Sequence, residues 1–145
     1  ALNDPKQAVE YYKKAIKINP DYPALHNNLG NAFKDLRRLD DALIAFKDAL
    51  KHNPDFHESL NSLGVTLFET GEHAEAIRVL KKAIKVKPDF VEAYLNLSEI
   101  LKQTDQRDEA KECLRNAIQV NPDVADIHNN LGTLFCPPSL PTERI

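Results

Sequence analysis

A period of 34 residues constrains this chain more than any other feature. The pentapeptide "HNNLG" stands at His26 to Gly30 and again at His128 to Gly132, 102 residues or three times 34 apart. Intermediate steps fill the same register: Leu29-Gly30, Leu63-Gly64, Leu97-Ser98 and Leu131-Gly132, with Phe33, Leu67, Leu101 and Phe135 close behind. Later in each unit come Ala8, Ala42, Ala76 and Ala110, then Tyr12, Phe46, Leu80 and Leu114, then Ala15, Ala49, Ala83 and Ala117. Each unit closes on Pro20, Pro54, Pro88 or Pro122. Self-similarity at this spacing marks helix-turn-helix units stacked into a solenoid.

Elementary physics supports that reading. Leu29, Phe33 and Leu36 share one face of a helix, and Ala42, Phe46, Ala49 and Leu50 share one face of a second. The alanines let two helix backbones approach closely. One such pair has too little apolar surface to fold alone, so neighbours must bury the remainder. The prolines stop the preceding helix, and the aspartate after each one is expected to accept N–H groups at the start of the next. The turns between paired helices centre on Arg37, Gly71 and Asp105. Gly71 and Asp105 suit a tight turn, whereas Arg37 does so less well if positive φ is needed there.

These residues resemble the tetratricopeptide repeat family, whose signature pairs a Trp-x2-Leu-Gly-x2-Tyr helix with an Ala-x3-Phe helix ending in proline. The tryptophan position holds His26, Leu60, Tyr94 and His128, and Ser98 replaces one glycine. The resemblance implies an all-α fold, an α-α solenoid of antiparallel helix pairs wound into a right-handed superhelix. The units read as a half repeat at 1–20, full repeats at 23–56, 57–90 and 91–124, a half repeat at 125–135 and a Pro-rich tail at 136–145.

Composition narrows the function classes. Of 145 residues, 42% are apolar and 28% charged, as expected of an ordinary soluble domain with no run long enough to span a membrane. Two cysteines, Cys113 and Cys136, are too few for a disulfide framework and have no zinc-ligand company, so a reducing, cytoplasmic setting is expected. The net charge of −3 gives no reason to expect nucleic acid. His26 and His128 fall in the first and last units and cannot meet in one site of a monomer. His52, His57 and His73 are expected to be solvated. No Gly-rich phosphate loop, nucleophile elbow or metal-spaced cluster is present, so neither enzymatic activity nor a cofactor or metal is expected.

The repeated polar residues point to binding. Asn28, Ser62, Asn96 and Asn130 precede the repeated leucines, and Asn31, Val65, Glu99 and Thr133 share their helix face three residues on. In the family the first helices of each pair line a concave groove. An amide carries both a donor and an acceptor and so matches the backbone of an extended peptide. The pattern is similar to the asparagine-lined tetratricopeptide superhelix of O-linked N-acetylglucosamine transferases, which implies Asn28, Asn31, Ser62, Asn96, Glu99 and Asn130 as peptide-binding positions. The alternative use of these amides is to bridge neighbouring helices. The expected function is a protein-interaction scaffold, or alternatively the substrate-recruiting region of a larger enzyme such as a glycosyltransferase.

The carboxylate clamp of chaperone adaptors would occupy Asn27, Asn31, Ser62, Glu92 and Asn96, without its cations. With Asp35, Glu58, Glu69, Glu92, Glu99 and Asp126 set against Lys34 and Lys102, the groove is expected to favour neutral or mildly basic segments over acidic tails. Lysines and arginines gather on the second helices and read as a solvated outer face. The chain begins and ends inside a repeat and reads as a fragment of a longer protein. Exposure of Val9, Tyr12 and Ile16 at one end and of Leu131, Leu134 and Phe135 at the other suggests head-to-tail self-association.

Overall fold

The computed structural model describes residues 4–123, together with Asn129 and Gly132. Among the described residues the elements are seven helices: α1 (Pro5–Ile18), α2 (Pro23–Asp35), α3 (Leu39–His52), α4 (His57–Glu69), α5 (His73–Val86), α6 (Val91–Gln103) and α7 (Arg107–Val120). The second half repeat and the tail, with His128, Asn130, Leu131, Leu134, Phe135 and Cys136, lie outside the described residues.

Helix pairs α2–α3, α4–α5 and α6–α7 pack most closely, and each pair then packs on the next through α3–α4 and α5–α6. Along the stack α2 meets α4 and α4 meets α6, while the odd-numbered helices make no comparable approach to one another. The even-numbered helices are therefore the inner, concave wall and the odd-numbered ones the outer wall. A continuous core runs between the walls.

The periodic small residues explain that closeness. Ala42, Phe46, Ala49, Ala76, Leu80, Ala83, Ala110, Leu114 and Ala117 are all fully buried. A Cβ on Gly30 would sit 2.5 Å from the Phe46 ring, and one on Gly64 would sit 2.6 Å from Leu80 Cγ. Glycine on the inner helix thus makes room for the large side chain of the outer helix. In the third unit Ser98 takes this place, and its hydroxyl donates to the Leu95 carbonyl at 2.8 Å.

Turn chemistry follows the sequence in one class of turn and departs from it in the other. Arg37, Gly71 and Asp105 have φ of 57°, 90° and 62°. The amides of Arg38, Glu72 and Gln106 bond back to the carbonyls of Phe33, Leu67 and Leu101, which closes three Schellman turns. Arg37 therefore stands where glycine is favoured. Asp21, Asp55 and Asp89, by contrast, do not cap the helices that follow them. The N-caps of α2, α4 and α6 are Tyr22, Phe56 and Phe90, none with a side-chain bond. Asn53 organises its turn instead: its Oδ1 accepts the Asp55 N–H at 3.2 Å, and its carbonyl accepts the Phe56 N–H at 3.1 Å.

Two further expectations are corrected. Val9 is only 3% exposed, so the open apolar surface of α1 is Tyr11 and Ile18. Of the histidines expected in solvent, His52 and His73 are exposed while also touching the rings of His26 and Phe68 at 5.2 and 4.8 Å, whereas His57 is half-buried, edge-on to Phe90 at 5.0 Å.

Candidate functional site

The concave wall holds a groove of about 640 Å³ framed by α2, α4, α6 and the turn before α6. Its lining includes Asn27, Asn31, Asn61, Ser62, Val65 and Asn96, with Phe90 from the turn. A helix advances about 100° per residue, so positions one apart in sequence need not face the same way.

Two hydrogen bonds fix the amides. Ser59, fully buried on α4, donates its hydroxyl to Asn27 Oδ1 on α2 at 2.9 Å. Asn96 Nδ2 on α6 donates to Asn61 Oδ1 on α4 at 2.9 Å. Each bond joins neighbouring units and spends one side of the accepting amide. No buried side-chain nitrogen or oxygen among the described residues lacks a partner. The Nδ2 groups of Asn27 and Asn61, which donate to no group among the described residues, are therefore open to the groove as donors. Among the described residues Asn96 Oδ1 accepts no bond, and Asn31 is exposed with neither side-chain group bonded.

Of the residues that sequence alone singled out, Asn31, Ser62 and Asn96 come together here. Asn28 does not line the groove, and Asn130 lies outside the described residues. Glu99 also stands apart from it. Lys102 approaches the Glu99 carboxylate at 2.6 Å and Gln103 donates to it at 2.8 Å, and these contacts hold its pKa below the usual carboxylate value. Asn61, which the sequence reading passed over, and Asn27, which it named only as a clamp position, also line the groove, 34 residues apart.

The electrostatics also differ from a count of acids along the first helices. Glu58 and Glu92 line the groove, but so do Lys34, His57 and Lys87. Lys87 comes from the turn, which no helix-face argument reaches, so the clamp positions do have cations beside them. Lys34 lies 3.9 Å from Glu69, which also binds Arg37 at 2.9 Å, so much of its charge is answered within the wall.

The bulky position of each unit braces the wall. The Nε2–H of His26 donates to the Pro20 carbonyl at 2.7 Å, and the Tyr94 hydroxyl donates to the Pro88 carbonyl at 2.9 Å. Each ties an inner helix to the turn that precedes it. Leu60 packs in the same place with no polar tip, 2% exposed. His26 has no metal-binding company: among the described residues no group of three His, Cys, Asp or Glu could hold an ion. Nor is any described helix long and apolar enough to cross a membrane.

Comparison with known proteins agrees with this architecture. Three tetratricopeptide repeat family models match residues 1–37, 27–89 and 67–132 in overlapping succession. No curated protein matches the chain. Among solved structures, MamA superposes with a TM-score of 0.82 at 24% identity, covering 91% of this chain and 77% of that one. PilF of Pseudomonas aeruginosa gives 0.81 at 23% identity, over 90% of this chain and 60% of that one. YrrB, described as a tetratricopeptide repeat protein with an unusual peptide-binding site, gives 0.74 at 21% identity, over 92% of this chain and 69% of that one. With its period, its interlocked helix pairs and these matches in agreement, the chain belongs to the tetratricopeptide repeat family.

Proposed function

We propose that this chain is a scaffold that holds an extended segment of a partner protein along its concave groove, reading the segment's backbone through Asn27, Asn31, Asn61, Ser62 and Asn96. The observation that carries the proposal is the bridged amides. Asn27 and Asn61 each spend their oxygen on a neighbouring unit and keep a donor for the groove, while Asn96 keeps an acceptor. Such groups are already oriented before a ligand arrives, which lowers the ordering cost of binding. Packed helices lie roughly 8–10 Å apart. An extended peptide rises roughly 3.3 Å per residue. Every third residue of the segment therefore meets a new unit.

Backbone reading leaves side-chain preference to the rim. With Lys34 engaged by Glu69, the carboxylates of Glu58 and Glu92 outweigh Lys87. Neutral or mildly basic segments are preferred over strongly acidic tails. YrrB shows that a protein of this fold can hold a peptide. The substrate-recruiting region of a larger glycosyltransferase would use the same groove in the same way, and Asn28, Glu99 and Asn130 would extend it beyond the central cavity.

A peptide array probed with the native chain and with an Asn31→Ala/Asn96→Ala variant tests the reading. The native chain is expected to retain neutral and basic extended peptides and the variant to lose most of them. Retention of acidic tails above their neutralised analogues would refute the charge preference, and equal retention by both proteins would refute backbone reading.

A further inference from the structure

We propose that the crevice between α5 and α7 on the outer wall is a second binding site, which takes an aromatic side chain that a partner protein presents beside arginine. The crevice has a volume of about 460 Å³, within the range of small-ligand pockets. It exists because the two outer helices stand apart there, so that Tyr94, Leu97 and Leu101 of α6 form its floor. Those three side chains belong to the core, and Cys113 closes one side with its thiol donating to the Tyr94 carbonyl at 3.4 Å. A crevice of this volume above an apolar floor suits one aromatic ring, which buries a large area for few rotatable bonds.

The rim specifies the charge. Asp108, Glu109 and Glu112 face Lys81 across the opening, and Lys81 is answered by Glu109 at 3.6 Å. Asp108 and Glu112 have no ion-pair partner among the described residues. The equivalent positions one unit earlier, on α3 and α5, provide an internal control. Lys47 and Glu75 occupy the positions of Lys81 and Glu109 one unit earlier, and Lys47 lies close enough to help stabilise the Glu75 carboxylate. There, however, Ala74 and Arg78 replace Asp108 and Glu112, and Lys82 replaces Asn116. The same repeat positions are thus mainly basic in one unit and mainly acidic in the next. Charge complementarity assigns the acidic one to a cationic partner.

The test is an NMR titration of the native chain with an amidated hexapeptide holding phenylalanine between two arginines. Shifts are expected to concentrate at Ile84, Glu112, Cys113 and Asn116. An Asp108→Asn/Glu112→Gln variant with an unchanged circular dichroism spectrum is expected to bind roughly three- to tenfold more weakly, the effect of two partly exposed ion pairs. Read at those four crevice residues, the Asn31→Ala/Asn96→Ala groove variant is expected to give the native titration curve even where its concave groove no longer holds the peptide, which separates this site from the concave one. The proposal is overturned if the shifts map instead to Asn31, Ser62 and Asn96, or if a peptide with glutamates in place of the arginines binds equally well. It is also overturned if removing residues 136–145 alone reproduces the shift changes, because the crevice would then belong to the chain's own tail.

Discussion

The inner and outer walls are built from helices of nearly equal length, yet they bury their polar side chains to different depths. On the inner wall, Asn27, Ser59, Asn61 and Asn96 bond across units, so polarity is part of the stacking itself. On the outer wall, Arg78 pairs with Glu75 one turn away and Lys81 reaches Glu109, both in exposed contacts. Bonds buried between units cannot be lost without a penalty, whereas exposed pairs contribute little. The comparison teaches that a repeated polar residue in a solenoid gains meaning from how deeply its bond across the unit boundary is buried, more than from its period alone.

The largest expected effect lies where the two walls interlock. Phe46→Ala should lower stability by about 3–5 kcal/mol in chemical denaturation, as expected for emptying a fully buried aromatic site. Gly30→Ala should cost about 1–3 kcal/mol because its Cβ meets the Phe46 ring. Combined, the two should cost less than their sum, since removing the ring removes the clash. Strict additivity would mean that the close approach is not the reason for glycine.

A smaller effect separates the walls themselves. Ser59→Ala strips the donor from the buried Asn27 oxygen and should cost about 1–3 kcal/mol. Arg78→Ala on the outer wall should leave the denaturation midpoint nearly unchanged. A midpoint shift for Arg78→Ala as large as that for Ser59→Ala would erase the distinction.

Turn strain sharpens the picture further. Arg37→Gly places a permissive residue at φ 57° and should raise stability by about 0.5–1 kcal/mol, reduced by loss of the exposed bond to Glu69. Gly71→Ala, with φ of 90°, should lower stability in the same assay.

The smallest effect at neutral pH concerns Cys113. Burial pushes its thiol pKa up to about 12 from 9.0, with Lys81 opposing. The folded chain therefore keeps a proton that the unfolded chain releases, so this contribution is intact below pH 9 and is lost as pH rises toward 12. Cys113→Val, which copies Val79 one unit earlier, should change stability at pH 7 by less than about 1.5 kcal/mol. Above pH 9 the variant should lose stability less steeply than the native chain. Parallel curves would contradict the assignment.

The fold was legible because its determinants are one-dimensional. Period, proline stops and small residues at fixed offsets dictate helix pairs, and the alignment of Arg37 with Gly71 and Asp105 marks its turn, while its positive φ is a finding of the structure. The groove was legible only in part. The repeat states that Asn28 and Ser62 occupy equivalent positions, but Ser62 lines the cavity and Asn28 does not, since direction depends on how each pair sits against its neighbours. Lys87 comes from a turn and obeys no helical face. The stacking of His52 on His26 joins the end of one helix to the first turn of the helix before it, a contact invisible to a linear reading.

The account's central claim is that the inner wall reads peptide backbone while the outer cations do not. The most direct test measures the affinity of one neutral extended peptide, chosen from the array, for the native chain, for Asn31→Ala/Asn96→Ala and for Arg78→Ala/Lys82→Ala. Two hydrogen-bonding amides lost from the groove should weaken binding by roughly 5- to 150-fold, and the outer-wall variant should match the native chain. Native affinity in the inner-wall variant, with binding lost from the outer-wall variant, would contradict the account.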